Sequence, residues 1–374
     1  MSRAVPAPSE PSSPRRRLAP RVLLALTAVT GASLTQAAPA AAAPEPVTVV
    51  ARGLTAPFGL TVSGRQVLVA DQATGSIVRF TPGRPGRFPA ATGLRQPTAV
   101  ATVGKQLAIV TAGAEVPDTT TTGDASLLLQ RPGERPRLFA DLEKHELAHN
   151  PDGQLQFDPT TKKPLDALSN PFAIVPGFGR NVAFVADAGA NAVLSVSTTG
   201  RVRTFYVPPI VNTGRCKGVP NNDPAHVGCD SVPTGLAYGP GATLYVSALT
   251  NSVPGEGRVY VLDRRTGRLM RTISGLTGPT GVAVAPDGTV YVSEVLHNAP
   301  AGEGPPPPGF DPSSVGRIVK IAPDGRRTFA AVTMPTGLAM RGSTLYASAW
   351  SIAAQFGLPR PGQVVQVRPS AFRR

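Results

Sequence analysis

The stretch Pro233–Ala248 reads PTGLAYGPGATLYVSA, and it decides the fold of this chain. Two segments of alternating small, apolar and polar residues, PTGLAY and TLYVSA, flank a short turn rich in Gly and Pro. Glycine and proline supply the backbone angles of tight turns, whereas β-branched and aromatic residues favour extended strands. The stretch therefore predicts a β-hairpin whose first strand begins at a proline.

The same sequence motif, which we call the blade phrase, occurs six times along the chain. A proline, a Thr or Phe, and a small residue open the first strand, and the second strand ends in a small or acidic residue. The copies begin at Pro57, Pro97, Pro171, Pro233, Pro279 and Pro335. A third strand is predicted after every copy, at Ser76–Phe80, Leu127–Gln130, Ala192–Val196, Gly257–Leu262, Gly316–Ile321 and Gly362–Val367. A fourth follows most copies, for example at Arg137–Ala140, Arg201–Tyr206, Arg268–Ile273 and Arg326–Ala330. Repetition at this period indicates a repeat architecture.

Four short antiparallel strands in a repeat of roughly 55 residues are typical of a β-propeller blade. The last copy lacks a fourth strand, while Val47–Ala51 stands before the first copy with no partner there. We therefore predict an all-β, six-bladed propeller of four-stranded blades, closed by the N-terminal strand. Two packed β-sandwiches are the less favoured alternative, because each repeat is a single phrase and the two ends of the chain complement one another.

Composition agrees with a turn-rich globular domain. The 374 residues include 39 Gly and 41 Pro, which suits many short strands joined by turns. Hydrophobic residues make up 41% and charged residues 16%, so the chain can bury a core. Two Cys, four His and one Trp leave little material for zinc clusters or haem.

Residues 1–43 have the layout of a secretory signal peptide. Arg15–Arg17 and Arg21 form a basic region, the apolar stretch Val22–Leu34 follows, and an Ala-rich run offers several A-x-A cleavage sites. No later segment approaches the roughly 18 apolar residues that a membrane span needs. We expect export with removal of this peptide, which leaves residues 44–374 as the propeller domain outside the cytoplasm.

Net charge invites a nucleic-acid interpretation, which the sequence does not favour. The whole chain carries +14, and without residues 1–43 it keeps 32 basic and 22 acidic residues, a net +10. The basic residues are scattered through the turns, with no run of five and no recognition motif, so we predict no nucleic-acid partner. A solvated basic surface is the first interpretation, and a polyanion such as a cell-wall polymer or nucleic acid is the alternative.

Cys216 and Cys229 are the only cysteines, and they lie in a segment rich in Pro, Gly and Asn. In an oxidising compartment we expect them to form one disulfide that closes a surface loop. Two free thiols or a metal-binding pair are the alternatives.

The blade phrases, together with SNPFAIV at residues 169–175, FVADAGANAVLSV at residues 184–196 and HNPDGQ at residues 149–154, carry a family resemblance. The sequence resembles the ScyD/ScyE family of exported, NHL-like propellers over nearly all of residues 46–368. The resemblance implies the fold and export, and it implies no reaction.

Four long insertions are predicted on one face of the propeller. Residues 112–125 and 297–314 follow second strands, whereas residues 143–168 and 207–231 follow fourth strands. Because successive strands of a blade alternate in direction, both kinds of connection emerge where the inner strands begin. Functional residues concentrate on loops carried by a rigid scaffold, so we expect function on this face. Neutral loop growth is the alternative.

Three carboxylates are candidate metal ligands at the channel mouth. The second strands end in Asp71, Thr111, Asp187, Ala248, Glu294 and Ala349. Hard oxygen ligands that converge on an axis suit Ca²⁺, so Asp71, Asp187 and Glu294 are a candidate calcium site of the lactonase-propeller kind. The alternative, which we favour, is that each carboxylate binds the backbone of its own turn.

The segment His145–His149 reads HELAH and matches H-E-x-x-H. On a helix the two histidines share one face and suit Zn²⁺, with the glutamate as a base. The predicted helix, Asp141–His149, stops at Asn150-Pro151, and no downstream segment supplies a third ligand. We therefore favour a surface helix over a zinc protease or adventitious metal binding.

The sequence contains no nucleophile elbow, phosphate loop or dinucleotide fingerprint. We therefore predict a monomeric exported binding or scaffold protein, whose partner is a small molecule or an extracellular polymer or protein. A metal-dependent hydrolase or lyase acting through Asp71, Asp187 and Glu294, with His297, is the alternative, and so is a purely structural envelope protein.

Overall fold

A computed structural model describes residues 45–113, 125–165, 168–300 and 307–374 of the protein. The predicted signal peptide lies outside these residues. Twenty-four strands form six separate four-stranded antiparallel sheets, so the predicted six-bladed propeller is confirmed. No helix in the described ranges is long and apolar enough to cross a membrane.

The strands follow one another from the N-terminus as β1 (Val47–Leu54), β2 (Pro57–Ser63), β3 (Gln66–Asp71), β4 (Ser76–Phe80), β5 (Arg87–Ala91), β6 (Pro97–Val103), β7 (Gln106–Thr111), β8 (Ser126–Gln130), β9 (Arg137–Asp141), β10 (Pro171–Pro176), β11 (Asn181–Asp187) and β12 (Ala192–Ser197). They continue with β13 (Val202–Tyr206), β14 (Pro233–Gly239), β15 (Thr243–Ala248), β16 (Gly257–Asp263), β17 (Leu269–Leu276), β18 (Pro279–Val284), β19 (Val290–Glu294), β20 (Arg317–Ile321), β21 (Arg327–Ala330), β22 (Leu338–Arg341), β23 (Thr344–Ala349) and β24 (Gly362–Val367). One α-helix, α1 (Leu142–His149), follows β9.

Blades one to five each use four consecutive strands, from β2–β5 to β18–β21. Blade six has the order β22-β23-β24-β1, so the N-terminal strand is its outermost strand. Val47 pairs with Val367 and Val49 with Val365, which confirms the predicted closure of the ring. The two ends of the domain are thus held in one sheet.

The cores lie between neighbouring blades. For example, Leu127 of blade two packs with Val185 and Leu194 of blade three, and all three side chains are fully buried. At the axis the inner strands approach so closely that a Cβ on Gly59 would lie 2.6 Å from the Cβ of Ala99. This crowding explains the small third residue of each blade phrase.

Threonine hydroxyls hydrogen-bond neighbouring inner strands to one another. Thr98, Thr234, Thr280 and Thr336, each the second residue of its blade phrase, donate to the proline carbonyl that opens the next blade, over 2.6 to 3.2 Å. Blades one and three carry Phe58 and Phe172 at this position instead. The Thr-or-Phe alternation in the sequence therefore marks which blade junctions have this bond.

Candidate functional site

The insertions emerge on one side of the propeller, as predicted. We call this side the insertion face, defined by the starts of the inner strands and the loops after β3, β7, β9, β13, β19 and β23. The connection between β23 and β24, residues 350–361, belongs to the same face and was missed by sequence reasoning. Parts of three predicted insertions, residues 114–124, 166–167 and 301–306, lie outside the described residues.

An apolar cluster packs at the channel end on the insertion face. Phe58 from the first inner strand packs with Val295, Met334 and Ile352, which are all buried. The channel among the inner strands holds a cavity of only about 50 Å³, lined mainly by small and aliphatic residues. We therefore place the candidate site beside the channel mouth rather than within the channel.

A cavity of about 700 Å³ opens on the insertion face over blades one to three. Its lining comes from several connections and two inner-strand aromatics: Phe58, Gln72, Ala73, Thr74, Gly75, Leu94, Gln96, Thr98, Ala112, Gly113, Asn170, Phe172 and Gln355. The rings of Phe58 and Phe172 lie 5.5 Å apart between centroids. The volume is in the range of small-molecule sites.

Four side-chain amides surround this cavity. Gln72 follows β3, Gln96 and Asn170 precede inner strands β6 and β10, and Gln355 belongs to the loop of blade six. Within the described part of the chain, these four amide groups have no hydrogen-bond partner. Each amide can donate two hydrogen bonds and accept others. The described lining contains no acidic or basic side chain, so the cavity offers polar but uncharged contacts.

Asp71 is buried at the end of β3 and binds the connection that enters the same blade. Its Oδ1 accepts hydrogen bonds from the backbone N–H groups of Thr55 and Ala56, at 3.0 and 2.8 Å. Both donors directly precede Pro57, which has no N–H group of its own. The carboxylate thus provides a hydrogen-bond acceptor for the backbone N–H groups of the turn before the first inner strand.

Asp187 plays the same part in blade three. Its Oδ1 accepts from the N–H groups of Asn170 and Ala190 at 2.7 and 3.2 Å, and its Oδ2 accepts from the Ser169 hydroxyl at 2.6 Å. The side chain is fully buried, and this burial raises its pKa against the opposing effect of these hydrogen bonds. In the same turn, the side-chain amide of Asn191 donates to Asp152 at 3.0 Å.

Glu294 is the corresponding residue of blade five, and it has charged neighbours. Its Oε1 accepts from the N–H of Thr277 at 2.7 Å, and its Oε2 accepts from Nε of Arg317. His297 Nδ1 lies 3.9 Å from Oε2. Burial and the nearby Arg317 lower the pKa of His297 despite the attraction of Glu294, so this imidazole is neutral at pH 7.

These contacts bear on the candidate calcium site. Each carboxylate accepts backbone hydrogen bonds from the connection that enters its own blade. In the described ranges, no group of three or more His, Cys, Asp or Glu side chains is placed to hold a metal ion. Calcium binding by Asp71, Asp187 and Glu294 stays a prediction, and we derive no chemical step through it.

The H-E-x-x-H segment lies on α1, as predicted, with Asp141 as its N-cap. The rings of His145 and His149 stack with centroids 4.4 Å apart. His149 Nδ1 donates to the carbonyl of His145, while His145 Nε2 lies 3.2 Å from the Thr204 hydroxyl. Burial and His149 lower the pKa of His145. Helix α1 buries one side, including His145 and Glu146, and is therefore less exposed than the surface helix that we predicted.

Cys216 and Cys229 form the predicted disulfide, with Cα atoms 5.4 Å apart. Both belong to the insertion after β13 and are fully buried within it. Gln154 of the NPDGQ segment donates to Asp230 of that insertion at 2.9 Å. Asp152 of the same segment accepts from Asn191 in blade three at 3.0 Å. The segment therefore links two insertions to the blade between them.

Solved structures with the same architecture include proteins of several functions. The chain is similar to the calcium-binding protein regucalcin from Agrobacterium tumefaciens, with a TM-score of 0.51, 13% identity, and coverage of 85% of this chain and 93% of that one. It is similar to a gluconolactonase from Xanthomonas campestris, with a TM-score of 0.51, 10% identity, and coverage of 86% and 89%. A luciferin-regenerating enzyme gives a TM-score of 0.50 at 11% identity, with coverage of 87% and 96%. No protein-family model and no curated protein matches the sequence. At these identities the likeness shows the six-bladed propeller fold.

Proposed function

We propose that this protein is an exported binding protein of the ScyD/ScyE type that takes a small, neutral, hydroxyl- or amide-rich ligand, such as a saccharide, in the cavity at the channel mouth. The observation that carries this proposal is the set of four side-chain amides lining a cavity of about 700 Å³, none of which has a hydrogen-bond partner among the described residues. Amides both donate and accept, and hydroxyl groups do the same. The Phe58 and Phe172 rings add an apolar surface for the C–H face of such a ligand.

Export is part of this proposal. It is supported by the basic and apolar layout of residues 1–43 and by the Cys216–Cys229 disulfide. Structural disulfides persist mainly in oxidising compartments.

The test captures the ligand directly. The purified protein is incubated with culture medium and desalted, and the species released on denaturation are identified by mass spectrometry. We expect a neutral, hydroxyl-rich compound to accompany the wild-type protein and to be lost from the double variant Gln72→Ala/Gln96→Ala. Release of no compound, or equal retention by that variant, would overturn the proposal.

A matched control keeps the comparison fair. Gln66 and Gln106 begin β3 and β7, next to the turns at the opposite ends of the inner hairpins of blades one and two. The double variant Gln66→Ala/Gln106→Ala removes the same two groups away from the cavity. We expect it to retain the ligand as the wild type does.

A metal-dependent hydrolase is the second candidate. It is favoured by the likeness to a gluconolactonase and by the buried Glu294 next to Arg317 and His297. His297 is neutral at pH 7 and is therefore able to accept a proton. This candidate predicts turnover of lactones or esters that Glu294→Gln and His297→Ala abolish, and a melting temperature that rises with Ca²⁺. Absence of turnover, with no change in melting temperature on adding Ca²⁺ or a chelator, rules this candidate out.

A further inference from the structure

Charge is distributed very unevenly between the two sides of the propeller. The side opposite the insertion face carries the short turns between first and second strands and between third and fourth strands, and we call it the turn face. Its turns, together with Arg341 at the end of β22, carry twelve basic side chains, all but Arg264 exposed: Arg65, Arg84, Lys105, Arg131, Arg135, Arg180, Arg201, Arg264, Arg265, Arg268, Arg326 and Arg341. Eleven of the twelve are arginines.

Among the described residues this face has four acidic side chains: Glu134, Asp287 and Asp324 in the turns, and Asp263 at the end of β16. Three of them are engaged within their own turns. Asp263 accepts from the backbone of Arg265 and Thr266, and Asp287 and Asp324 each accept a backbone N–H two residues later. Carboxylates used in this way shape the turns but leave the face with a large basic surplus.

Arginines also occur on the outermost strands of the six blades, which together we call the rim. Each of the six outermost strands contains one arginine and no lysine, and these are Arg52, Arg87, Arg137, Arg203, Arg271 and Arg327. Asp141 is the single acidic residue of these strands, and it caps α1 towards the insertion face. The rim therefore repeats one positive charge per blade.

Two rim arginines are held at blade junctions. Arg87 donates to the carbonyl of Gly53, and Arg327 donates to the carbonyl of Gly275 at 2.8 Å. In both cases the acceptor lies near the end of the preceding blade's outermost strand. A guanidinium has five N–H donors, so donors remain for an external anion.

Among the residues that the structure describes, the insertion face shows no such surplus. It contains the buried carboxylates of Asp71, Asp187 and Glu294, together with the acidic residues Glu143, Glu146, Asp152, Asp158, Asp223, Asp230, Glu256 and Asp311. Its described basic residues are Arg95, Lys144, Lys162, Lys163, Arg215, Lys217, Arg258, Arg317 and Arg360. The net positive charge is thus concentrated on the turn face and rim.

We propose that the turn face and rim bind a linear polyanion with phosphate groups along its backbone. Such binding leaves the insertion face and its cavity directed away from the polymer. The planar guanidinium matches phosphate oxygens with two parallel hydrogen bonds, which explains the preference for arginine over lysine. In the described turns no large hydrophobic side chain is exposed, whereas the outermost strands expose Phe88, Leu138, Leu269 and Met270. A comparison with lipid vesicles therefore separates a polyanion from an anionic membrane surface.

Binding of the full chain to long-chain inorganic polyphosphate tests the proposal. The quadruple variant Arg65→Ser/Arg180→Ser/Arg265→Ser/Arg341→Ser removes turn-face charges from four blades. With the described residues none of these four side chains forms an ion pair or hydrogen bond, so we expect the fold to be retained. We expect the affinity to fall by about tenfold or more, and the dependence of affinity on salt to become shallower, because fewer counterions are released.

The control removes four charges from the insertion face. Lys144, Lys162, Lys163 and Lys217 are exposed there, and changing all four to Ser lowers the net charge equally. We expect this variant to bind polyphosphate nearly as well as the wild type. A third variant with lysine at the four turn-face positions keeps the charge and should show an intermediate loss.

Three results would overturn the proposal. The first is no binding of polyphosphate at physiological salt, and the second is equal loss of affinity in the two quadruple Ser variants. The third is binding to vesicles of anionic phospholipid without binding to polyphosphate, which would identify a membrane surface instead. Weaker binding of a polycarboxylate of equal charge density is the expected outcome for a phosphate-specific face.

Discussion

Three buried carboxylates at the channel mouth act chiefly on the backbone. Asp71, Asp187 and Glu294 each accept an N–H from the connection that leads into an inner strand. That connection precedes a proline, so the chain has few other ways to satisfy its donors close to the axis. An acidic side chain at the end of the second strand therefore fixes the start of the first.

Removing the acceptor at Asp187 is expected to cost more than removing its charge. Asp187→Ala leaves the N–H groups of Asn170 and Ala190 without an acceptor, and we expect a loss of about 2–4 kcal/mol in the free energy of unfolding. Asp187→Asn keeps an oxygen acceptor, and we expect a change below about 1 kcal/mol. Guanidinium unfolding measures both. Asp324→Ala, at an exposed turn, is the control, and equal effects of all three substitutions would contradict this account.

The difference in stability between the wild type and Asp187→Asn is expected to change with pH in one direction. Burial raises the pKa of Asp187 in the folded protein. The folded state therefore binds the proton more tightly than the unfolded chain, and this stabilisation is complete below the usual aspartate pKa. It is lost as the pH rises through the raised pKa. Asp187→Asn does not titrate, so we expect its stability relative to the wild type to improve over that window, as measured by thermal unfolding at successive pH values. A constant difference between the two proteins would contradict the raised pKa.

Sequence reasoning reached the location of these residues but not their partners. The end of the second strand is visible from the blade phrase, and so is the alternation of Asp, Thr, Ala and Glu at that position. Which backbone donors surround each carboxylate depends on connections such as Thr55-Ala56 and Ser169-Asn170, which have no repeated pattern. For this reason the sequence pattern favours a local turn role for these carboxylates but leaves calcium binding open.

At the scale of elements, the blade phrase predicts strands well and the cavity poorly. Every third and fourth strand that we placed is present within two residues at its start and three at its end, because alternation and turn residues mark both. The cavity, in contrast, combines Gln72, Gln96, Asn170 and Gln355 from four different connections. One signal of the cavity was available in the sequence. The second position of the blade phrase is Phe58 or Phe172 in two blades and Thr in the other four, and these two rings lie against each other at the cavity.

The disulfide is expected to stabilise one insertion and its neighbours. Replacing Cys216 and Cys229 by Ser removes a staple whose loop closure is worth about 3 kcal/mol in the chain-entropy model. The insertion also holds the NPDGQ segment, because Asp223 accepts from the N–H of Leu155 at 3.0 Å. We expect faster hydrogen exchange at Leu155 and Gly228, and unchanged exchange at Val246 in the core of blade four. Equal acceleration at Val246 would indicate a global effect instead.

At the scale of the whole molecule, the ring is closed by a strand from the other end of the chain. Blade six takes β1 as its outermost strand, so its cooperative unit contains both ends of the domain. Leu54 at the end of β1 is 2% exposed, and it packs with Leu60 and Val67 of blade one and Val364 of β24. One short segment thus stabilises two blades and the junction between them.

Deleting that segment is expected to open the ring. A variant that lacks residues 1–54 loses β1 and the buried Leu54, and we expect the free energy of unfolding to fall by at least about 5 kcal/mol. Its β24 becomes an unpaired edge and should promote association between molecules, since exposed edges template further strand pairing. The control lacks residues 1–44 and keeps β1. Guanidinium unfolding and size-exclusion chromatography compare the two, and equal midpoints with equal elution volumes would mean that five blades and a three-stranded sixth suffice to hold the propeller closed.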